Sequence, residues 1–183
     1  CGCSPSDARA RARLPRPGDS APCSAGAAVI DGVDVSEFNP TVPWAGLRPA
    51  FAFVRLTSGL RADVSGSAHL ANAHDHVELL GAYAWARADA SGLAQARMFL
   101  SAVGREEALH GPLALALDVE HRNKPAPPWP LPELRREVLA FLETLRAAGR
   151  VCAVYGPRML LADLDLPAWV RRLPFWAASK PPA

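Results

Sequence analysis

The chain has 183 residues, half of them hydrophobic, and a formal net charge of +2. This length and composition are sufficient for one globular domain with a buried core. A charge this close to neutral does not indicate nucleic-acid binding, although a slight positive balance suits an anionic polymer such as a cell wall. No apolar run is long enough to form a transmembrane segment.

The first 27 residues differ from the rest of the chain. They are rich in Pro, Ala, Arg, Ser and Gly and have no hydrophobic period. Such a segment cannot bury enough apolar area to offset the entropy of ordering it. We therefore predict a flexible tail at residues 1–27 and a folded domain at residues 28–183.

The four cysteines lie in two different settings. Because the sequence begins at Cys1, it resembles a bacterial lipoprotein after removal of its signal peptide, with a lipid on Cys1. An arbitrary sequence boundary is the alternative. Cys3 and Cys23 could pair if the protein is exported. Cys152 lies in an apolar run and is expected to be a buried, unreactive thiol.

Beyond the tail, short apolar runs alternate with segments of helical periodicity. The runs predict six strands, at residues 29–35, 51–56, 81–85, 113–119, 151–155 and 175–178. Three sets of apolar residues at helical spacing predict helices: Leu70, Ala73, Val77 and Leu80, ended by Gly81; Leu93, Ala96, Leu100 and Val103, after a candidate cap at Asp89; and Leu134, Val138, Phe141, Leu142 and Leu145, between Pro132 and a C-terminal cap at Gly149. This alternation predicts an α/β fold with a parallel sheet.

Polar and aromatic residues recur where the predicted strands end. They are Asp34 after the first strand, Arg55 and Thr57 after the second, Trp85 after the third, Asp118 and Glu120 after the fourth, and Tyr155 after the fifth. Since parallel sheets place their chemistry at the carboxyl ends of strands, these side chains are expected to share one rim.

Asp118 and Glu120 follow the most apolar run of the chain. Residues i and i+2 of a strand point to the same side, about 6–7 Å apart, so both carboxylates are expected to face one cavity. Burial raises the pKa of a carboxyl group, and a like-charged neighbour raises it further. A neutral acid beside an ionised partner can split a glycosidic bond. The alternative is a strand-end carboxylate that pairs with Arg55 or Arg87.

Other candidates also have structural alternatives. Asp34 could cap the turn that follows it, because Ser36, Asn39 and Pro40 are turn formers. Aromatic residues at strand ends are often core residues. His69, His74 and His76 do not share one helix face, so a solvated helix surface is expected there rather than a metal site.

Six motifs, in their order, resemble the glycoside hydrolase family 25 lysozymes. They are Val33-Asp34-Val35-Ser36 followed by Trp44, Phe51-Ala52-Phe53-Val54-Arg55-Leu56-Thr57-Ser58-Gly59, Gly81-Ala82-Tyr83-Ala84-Trp85, Ala116-Leu117-Asp118-Val119-Glu120, Val154-Tyr155, and Leu173-Pro174-Phe175-Trp176-Ala177-Ala178. The resemblance extends over about residues 30–179.

The resemblance implies a modified TIM-type β/α barrel that needs no cofactor. It also implies hydrolysis of the β-1,4 bond between N-acetylmuramic acid and N-acetylglucosamine in peptidoglycan, outside the cytoplasm. Glu120 matches the proton donor, Asp118 the carboxylate that positions the substrate acetamido group or steadies positive charge, and Asp34 the acidic residue of the first strand. The expected substrate contacts are Tyr83, Trp85, Tyr155, Trp176 and Arg55.

The sequence departs from the family pattern at three places. Thr57-Ser58-Gly59 stands where relatives usually read Thr-Glu-Gly, and Tyr83-Ala84-Trp85 where they often read Tyr-His-Phe. The family fold continues for two more strands, whereas this sequence stops at Ala183, so about six strands of an incomplete barrel are expected. A catalytically impaired peptidoglycan-binding protein of the same fold, or a fragment without a stable fold, therefore remains an alternative to an active muramidase.

Overall fold

The computed structural model of the chain describes residues 32–120 and 129–178. The predictions for the tail, Cys1, Cys3 and Cys23 lie outside these residues. None of the described helices is long and apolar enough to cross a membrane.

The domain is built on one sheet with six parallel strands. In chain order the strands are β1 (Gly32–Val35), β2 (Phe51–Ser58), β3 (Arg61–Ala62), β4 (Leu79–Trp85), β5 (Ala114–Asp118), β6 (Cys152–Pro157) and β7 (Phe175–Ala178). The spatial order is β1-β2-β4-β5-β6-β7, and the short β3 forms an antiparallel hairpin with the end of β2. Each predicted strand is therefore present.

The sheet curls into a half-barrel. Three strands separate β2 from β7, yet the rings of Phe51 and Trp176 on these two strands have centroids 6.3 Å apart. Flat strands at this separation would lie about 19 Å apart, because adjacent strands are spaced by about 4.8 Å. Within the described residues β1 and β7 each pair on one side, which confirms an incomplete barrel of TIM type.

Five helices cover the outer face of the sheet or its ends. They are α1 (Trp44–Leu47), α2 (Gly66–Ala73), α3 (Gly92–His110), α4 (Leu131–Ala147) and α5 (Arg158–Asp163), with a 3-10 turn at Val170–Arg172. The predicted apolar face of α4 is confirmed, since its five residues are all buried. Gly149 follows this helix with φ +71°, and the amide of Arg150 donates to the carbonyl of Leu145 at 2.9 Å. This is the glycine termination predicted there.

Three local predictions were wrong. The helix predicted through Leu80 ends at Ala73, and Leu79 and Leu80 instead begin β4, where they pair with β2. The cap of α3 is Ser91, whose hydroxyl accepts from the amide of Ala94 at 3.3 Å. His69 is buried against the Trp44 ring instead of lying on a solvated surface. For Leu79, Leu80 and His69, tertiary contacts override the local pattern.

The two faces of the sheet are packed differently. Side chains on the outer face are buried beneath the helices: Ala52, Val54, Ala82, Ala84, Leu115, Leu117, Cys152 and Val154. Cys152 is a free thiol, and burial raises its pKa, as the expected unreactive cysteine requires. Several side chains on the inner face are only half-buried, among them Phe51, Phe53, Tyr83 and Tyr155, whereas Ala116 and Arg55 are buried.

Aromatic rings fill the inner face because neighbouring strands carry glycine. A Cβ atom at Gly32 would stand 2.1 Å from the Phe51 ring, and one at Gly81 would stand 2.5 Å from the Phe53 ring. The Phe53 ring contacts Trp176, which in turn contacts Tyr155 at a centroid distance of 4.9 Å. These aromatic residues form a floor below the carboxyl ends of the strands.

Candidate active site

The carboxyl ends of the strands bring most of the predicted site residues together. One shallow pocket is lined by Asp34, Tyr83, Ala116, Asp118, Tyr155 and Trp176. Its free volume is only about 10 Å³, room for roughly one water molecule. It is therefore a contact surface for part of a ligand, and the open half-barrel leaves space above it.

Asp118 is the most strongly perturbed carboxyl group of this surface. It ends β5 and lies between Trp85 of β4 and Tyr155 of β6 in the register of the sheet. Burial, together with the charges of Glu120 and Asp34, raises its pKa to about 8, and Arg55 opposes the shift. Its Oδ1 atom is buried and has no hydrogen-bond partner among the described residues. A pKa near 8 favours the protonated form of this carboxyl group at neutral pH.

Glu120 lies just beyond the strand, in a segment that the sheet holds in place. The amide of Val119 donates to the carbonyl of Tyr155 at 2.9 Å, and the amide of Ala86 donates to the carbonyl of Asp118 at 2.9 Å. Glu120 is half-buried, and its charge acts on Asp118 and Tyr155. The two acids therefore interact electrostatically at one edge of the sheet.

Asp34 is solvent-exposed on β1 at the edge of the same surface. The turn after β1 is closed by other residues, because Asn39 accepts from the amide of Ser36 at 3.0 Å and donates its own amide to the Ser36 carbonyl at 2.9 Å. Asn39 thus caps the turn in place of Asp34. The charge of Asp34 instead acts on Asp118, Tyr83 and Tyr155, whose pKa values it raises.

Two tyrosines stand on either side of Asp118. Burial raises the pKa of the Tyr83 hydroxyl, Arg55 opposes this shift, and the nearby carboxylates add to it. Burial also raises the pKa of the Tyr155 hydroxyl, with further contributions from Asp118 and Glu120. Both phenols therefore remain neutral hydrogen-bond donors near neutral pH.

Arg55 is the centre of a buried ion-pair network beside this surface. Its side chain is 3% exposed, its Nε donates to Asp63 at 2.7 Å, and its Nη2 donates to Glu37 at 2.8 Å. The guanidinium also lies over the rings of Phe38 and Trp85, 5.1 and 5.5 Å from their centroids. Arg61 on β3 closes the network by pairing with Glu37. The two arginines considered as partners of Glu120 thus pair with other carboxylates. Arg55 pairs with Asp63 and Glu37, and Arg87 pairs with Asp89.

This network joins the loops after β1 and β2. Asp63 also accepts from the amides of Glu37 at 3.1 Å and Ser65 at 3.0 Å. Asp63 therefore has a local hydrogen-bonding role, and sequence reasoning missed its neighbour in the network, Glu37. The sequence alone does not indicate an ion-pairing role for Glu37, because its partners Arg55 and Arg61 lie on other strands.

Within residues 32–120 and 129–178, no group of three or more His, Cys, Asp or Glu side chains could hold a metal. The carboxyl groups of this surface can provide acid–base chemistry.

Comparison with known proteins identifies the family. The model of the glycosyl hydrolases family 25 matches residues 33–181, which is most of the chain. The chain belongs to this family. It is therefore a family 25 glycoside hydrolase. No curated protein sequence matches it at a significant level.

Solved structures of family 25 proteins share the fold. The lysozyme from Streptomyces coelicolor is 24% identical with a TM-score of 0.68, covering 84% of this chain and 76% of that one. The family 25 lysozyme from Aspergillus fumigatus is 20% identical with a TM-score of 0.69, covering 84% and 79%. The modular autolysin LytC from Streptococcus pneumoniae, in complex with a synthetic peptidoglycan ligand, is 17% identical with a TM-score of 0.62, covering 74% and 34%.

The family 25 fold places the predicted contact residues in two groups. Tyr83, Tyr155 and Trp176 line the shallow pocket itself. Trp85 and Arg55 lie beside it, stacked on one another. The Nε1 atom of Trp85 is buried and has no partner among the described residues, so this indole retains an unused donor next to Asp118.

Proposed function

We propose that this family 25 protein is a lysozyme that hydrolyses the β-1,4 bond between N-acetylmuramic acid and N-acetylglucosamine in peptidoglycan. The observation that carries the proposal is the carboxyl group of Asp118, with its pKa raised to about 8, beside Glu120 and Asp34 on an aromatic surface. A neutral acid next to an ionised one is the requirement for cleaving a glycosidic bond. Peptidoglycan is also the polymer whose synthetic fragment LytC binds.

The two acids divide the proton transfer between them. In the free enzyme the burial of Asp118 holds the proton there. A hydrogen bond donated by the substrate acetamido N–H favours the ionised form of Asp118. Glu120, the proposed proton donor, then delivers a proton to the glycosidic oxygen as the bond breaks. Asp118 meanwhile orients the acetamido group and stabilises the positive charge that develops on the sugar. A water molecule supplies the new hydroxyl group on the anomeric carbon and returns its proton to Glu120.

The other side chains position the glycan. Tyr155 and Trp176 present aromatic faces to sugar rings, and the neutral hydroxyl groups of Tyr83 and Tyr155 donate hydrogen bonds. Arg55 contributes through its stacking on Trp85 and through the electrostatic field that limits the pKa rise of Asp118. Asp34 supplies a further negative charge at the open edge.

A peptidoglycan-binding protein that does not cut is the second candidate. The open half-barrel favours it, because strands β1 and β7 leave the groove unclosed on one side within the described residues. Ser58 favours it as well, since relatives usually carry a glutamate there. Either activity requires access to the cell wall, so the proposal puts the protein outside the cytoplasm.

The decisive experiment compares the wild-type protein with Glu120→Gln on purified cell walls. We expect wild-type protein to lower the turbidity of the suspension and to release new reducing ends on muramic acid. Glu120→Gln removes the proton donor, so the rate should fall at least 1000-fold while the thermal midpoint changes little.

The matched control is Glu143→Gln, the same change at an exposed position of α4. It should leave the rate unchanged. New reducing ends on glucosamine would contradict the proposed bond specificity. Wild-type protein that pellets with walls without releasing any fragment would establish the binding function instead.

A further inference from the structure

A second and much larger cleft opens on the same rim of the half-barrel. It has a volume of about 440 Å³ and is lined by Ser58, Leu60, Arg61, Arg87, Asp89 and Ala90. We call it the arginine cleft. It lies between the β2–β3 turn and the loop that follows β4, and nothing in the proposed hydrolysis uses it.

The arginine cleft is close to the bond that is cut. In the sheet register Ser58 pairs with Trp85, and Trp85 pairs with Asp118. Two strand spacings of about 4.8 Å place the wall of the cleft roughly 10 Å from Asp118. About three extended residues at about 3.3 Å each span that distance. A short substituent on a sugar bound at Asp118 therefore reaches the cleft.

Both walls of the cleft are fixed in place. The amide of Gly59 donates to the Trp85 carbonyl at 3.0 Å, and a Cβ atom at Gly59 would stand 2.8 Å from Cδ of Arg87. The opposite loop is held by buried Gln95, which accepts from the Arg87 amide at 2.9 Å and donates to the Arg87 and Ala90 carbonyls, both at 2.7 Å. A preformed site of this kind binds without paying to order its walls.

Two guanidinium groups face the cleft with donors to spare. The Arg61 side chain is 56% exposed and uses Nη1 and Nη2 to bind Glu37. Arg87 uses Nε and Nη2 to bind Asp89. Since a guanidinium carries five N–H bonds, each arginine keeps donors that no described residue accepts from. Their planar geometry matches a carboxylate.

The other lining residues limit which class of ligand can bind in the cleft. Leu60 is 54% exposed and offers an apolar contact, whereas Asp89 adds a negative charge to the cleft. Because Asp89 is paired with Arg87, the cleft carries little net positive charge and suits a ligand with a single carboxylate better than a polymer of phosphates. A short peptide with one carboxylate and small apolar side chains also makes use of Leu60.

We propose that the arginine cleft binds the stem peptide of the muramic acid residue, with Arg61 and Arg87 holding a peptide carboxylate and Leu60 contacting an apolar side chain. Muramic acid carries this peptide on its lactyl group, beside the bond that is cut. The inference rests on the proposed function and deepens it: the preferred substrate is peptide-bearing glycan rather than bare glycan.

The test measures kcat/KM on peptidoglycan before and after an amidase has removed its stem peptides. We expect the wild-type protein to prefer the peptide-bearing substrate by about tenfold or more. Arg87→Gln and Arg61→Gln should each lower this preference towards one. The control Arg105→Gln, at an exposed position of α3, should keep it.

Other results overturn the inference. Equal efficiency of wild-type protein on both substrates would refute the arginine cleft and leave the proposed hydrolysis standing. The inference would also be refuted if the substrate preference of the wild-type protein changed when wall phosphate polymers were removed but did not change when the stem peptides were removed. If neither substrate is cut, the proposed hydrolysis fails, and calorimetry with a free stem peptide then tests the arginine cleft alone. Binding that Arg87→Gln weakens would support the cleft. The absence of binding would overturn it.

Discussion

Gly92 of α3 touches the main chain of Glu137 in α4. Its amide donates to Oε2 of Glu137 at 2.6 Å, and a Cβ atom at residue 92 would stand 1.9 Å from the carbonyl oxygen of Glu137. The two helices therefore approach each other closely at the beginning of α3. The rings of Phe99 and Phe141 continue this contact along the helices, with centroids 6.0 Å apart.

Replacing Gly92 with alanine should force α3 and α4 apart, because main-chain atoms cannot swing away as a side chain can. We expect a loss of about 2 kcal/mol or more in the free energy of unfolding, measured by urea denaturation. Gly104→Ala, in the same helix with nothing within 4 Å of the new methyl group, should instead stabilise by up to about 1 kcal/mol. Equal effects of the two changes would contradict the close approach.

Arg55→Met should destabilise the domain strongly. It leaves buried Asp63 and largely buried Glu37 without their shared cation, and breaking a buried pair on one side costs about 3–5 kcal/mol. Urea denaturation of the variant measures this loss. Arg97→Met, at an exposed position of α3, should change stability by less than about 0.5 kcal/mol. A loss below about 1 kcal/mol for Arg55→Met would show that the network adds little.

The raised pKa of Asp118 makes stability depend on pH. Its pKa rises from 3.8 in the unfolded chain to about 8 in the folded one, so between these values the folded state binds more protons. The free energy of unfolding should therefore decrease as pH rises from about 4 to about 8. The contribution of this group is on the order of a few kcal/mol.

Asp118→Asn removes that titration. Urea denaturation at pH 5 and pH 8 should show a smaller difference between the two pH values in Asp118→Asn than in wild-type protein. Asp163→Asn, at an exposed position, should keep the wild-type difference. An unchanged difference in Asp118→Asn would place the proton elsewhere.

Gly156→Ala should impair catalysis without touching the substrate surface. A Cβ atom there would stand 2.4 Å from the carbonyl oxygen of Val119, which directly precedes Glu120. The segment that carries the proton donor must then shift, and displacements of about 1 Å can cost on the order of 100-fold in rate. We expect kcat to fall at least tenfold with little change in KM. A variant that lowers only stability, with wild-type kcat, would argue against this route.

Patterns within single elements were sufficient to predict much of the fold. Leu134, Val138 and Phe141 mark the buried face of α4 because a helix repeats every 3.6 residues, whatever packs against it. The same is true of the strands, whose apolar runs are buried on the outer face. The convergence of Asp34 and Asp118 follows from the geometry of a parallel sheet.

Features that depend on contacts between distant segments could not be predicted in this way. Glu37 has a role only because Arg55 and Arg61 approach it from another strand and its hairpin. Leu79 and Leu80 fit a helical period, yet pairing with β2 makes them a strand. Which of the two strand-end acids holds the proton depends on where β5 stops, since that decides how deeply Asp118 is buried.

Cys152 gives the domain a built-in reporter of its own opening. Its thiol is 2% exposed under the helical layer and its raised pKa suppresses the reactive thiolate. Alkylating reagents should therefore modify it only in molecules whose helices have separated from the sheet. The labelling rate of the peptide that contains Cys152, followed by mass spectrometry without denaturant, would measure how often the half-barrel comes apart under the conditions in which it works.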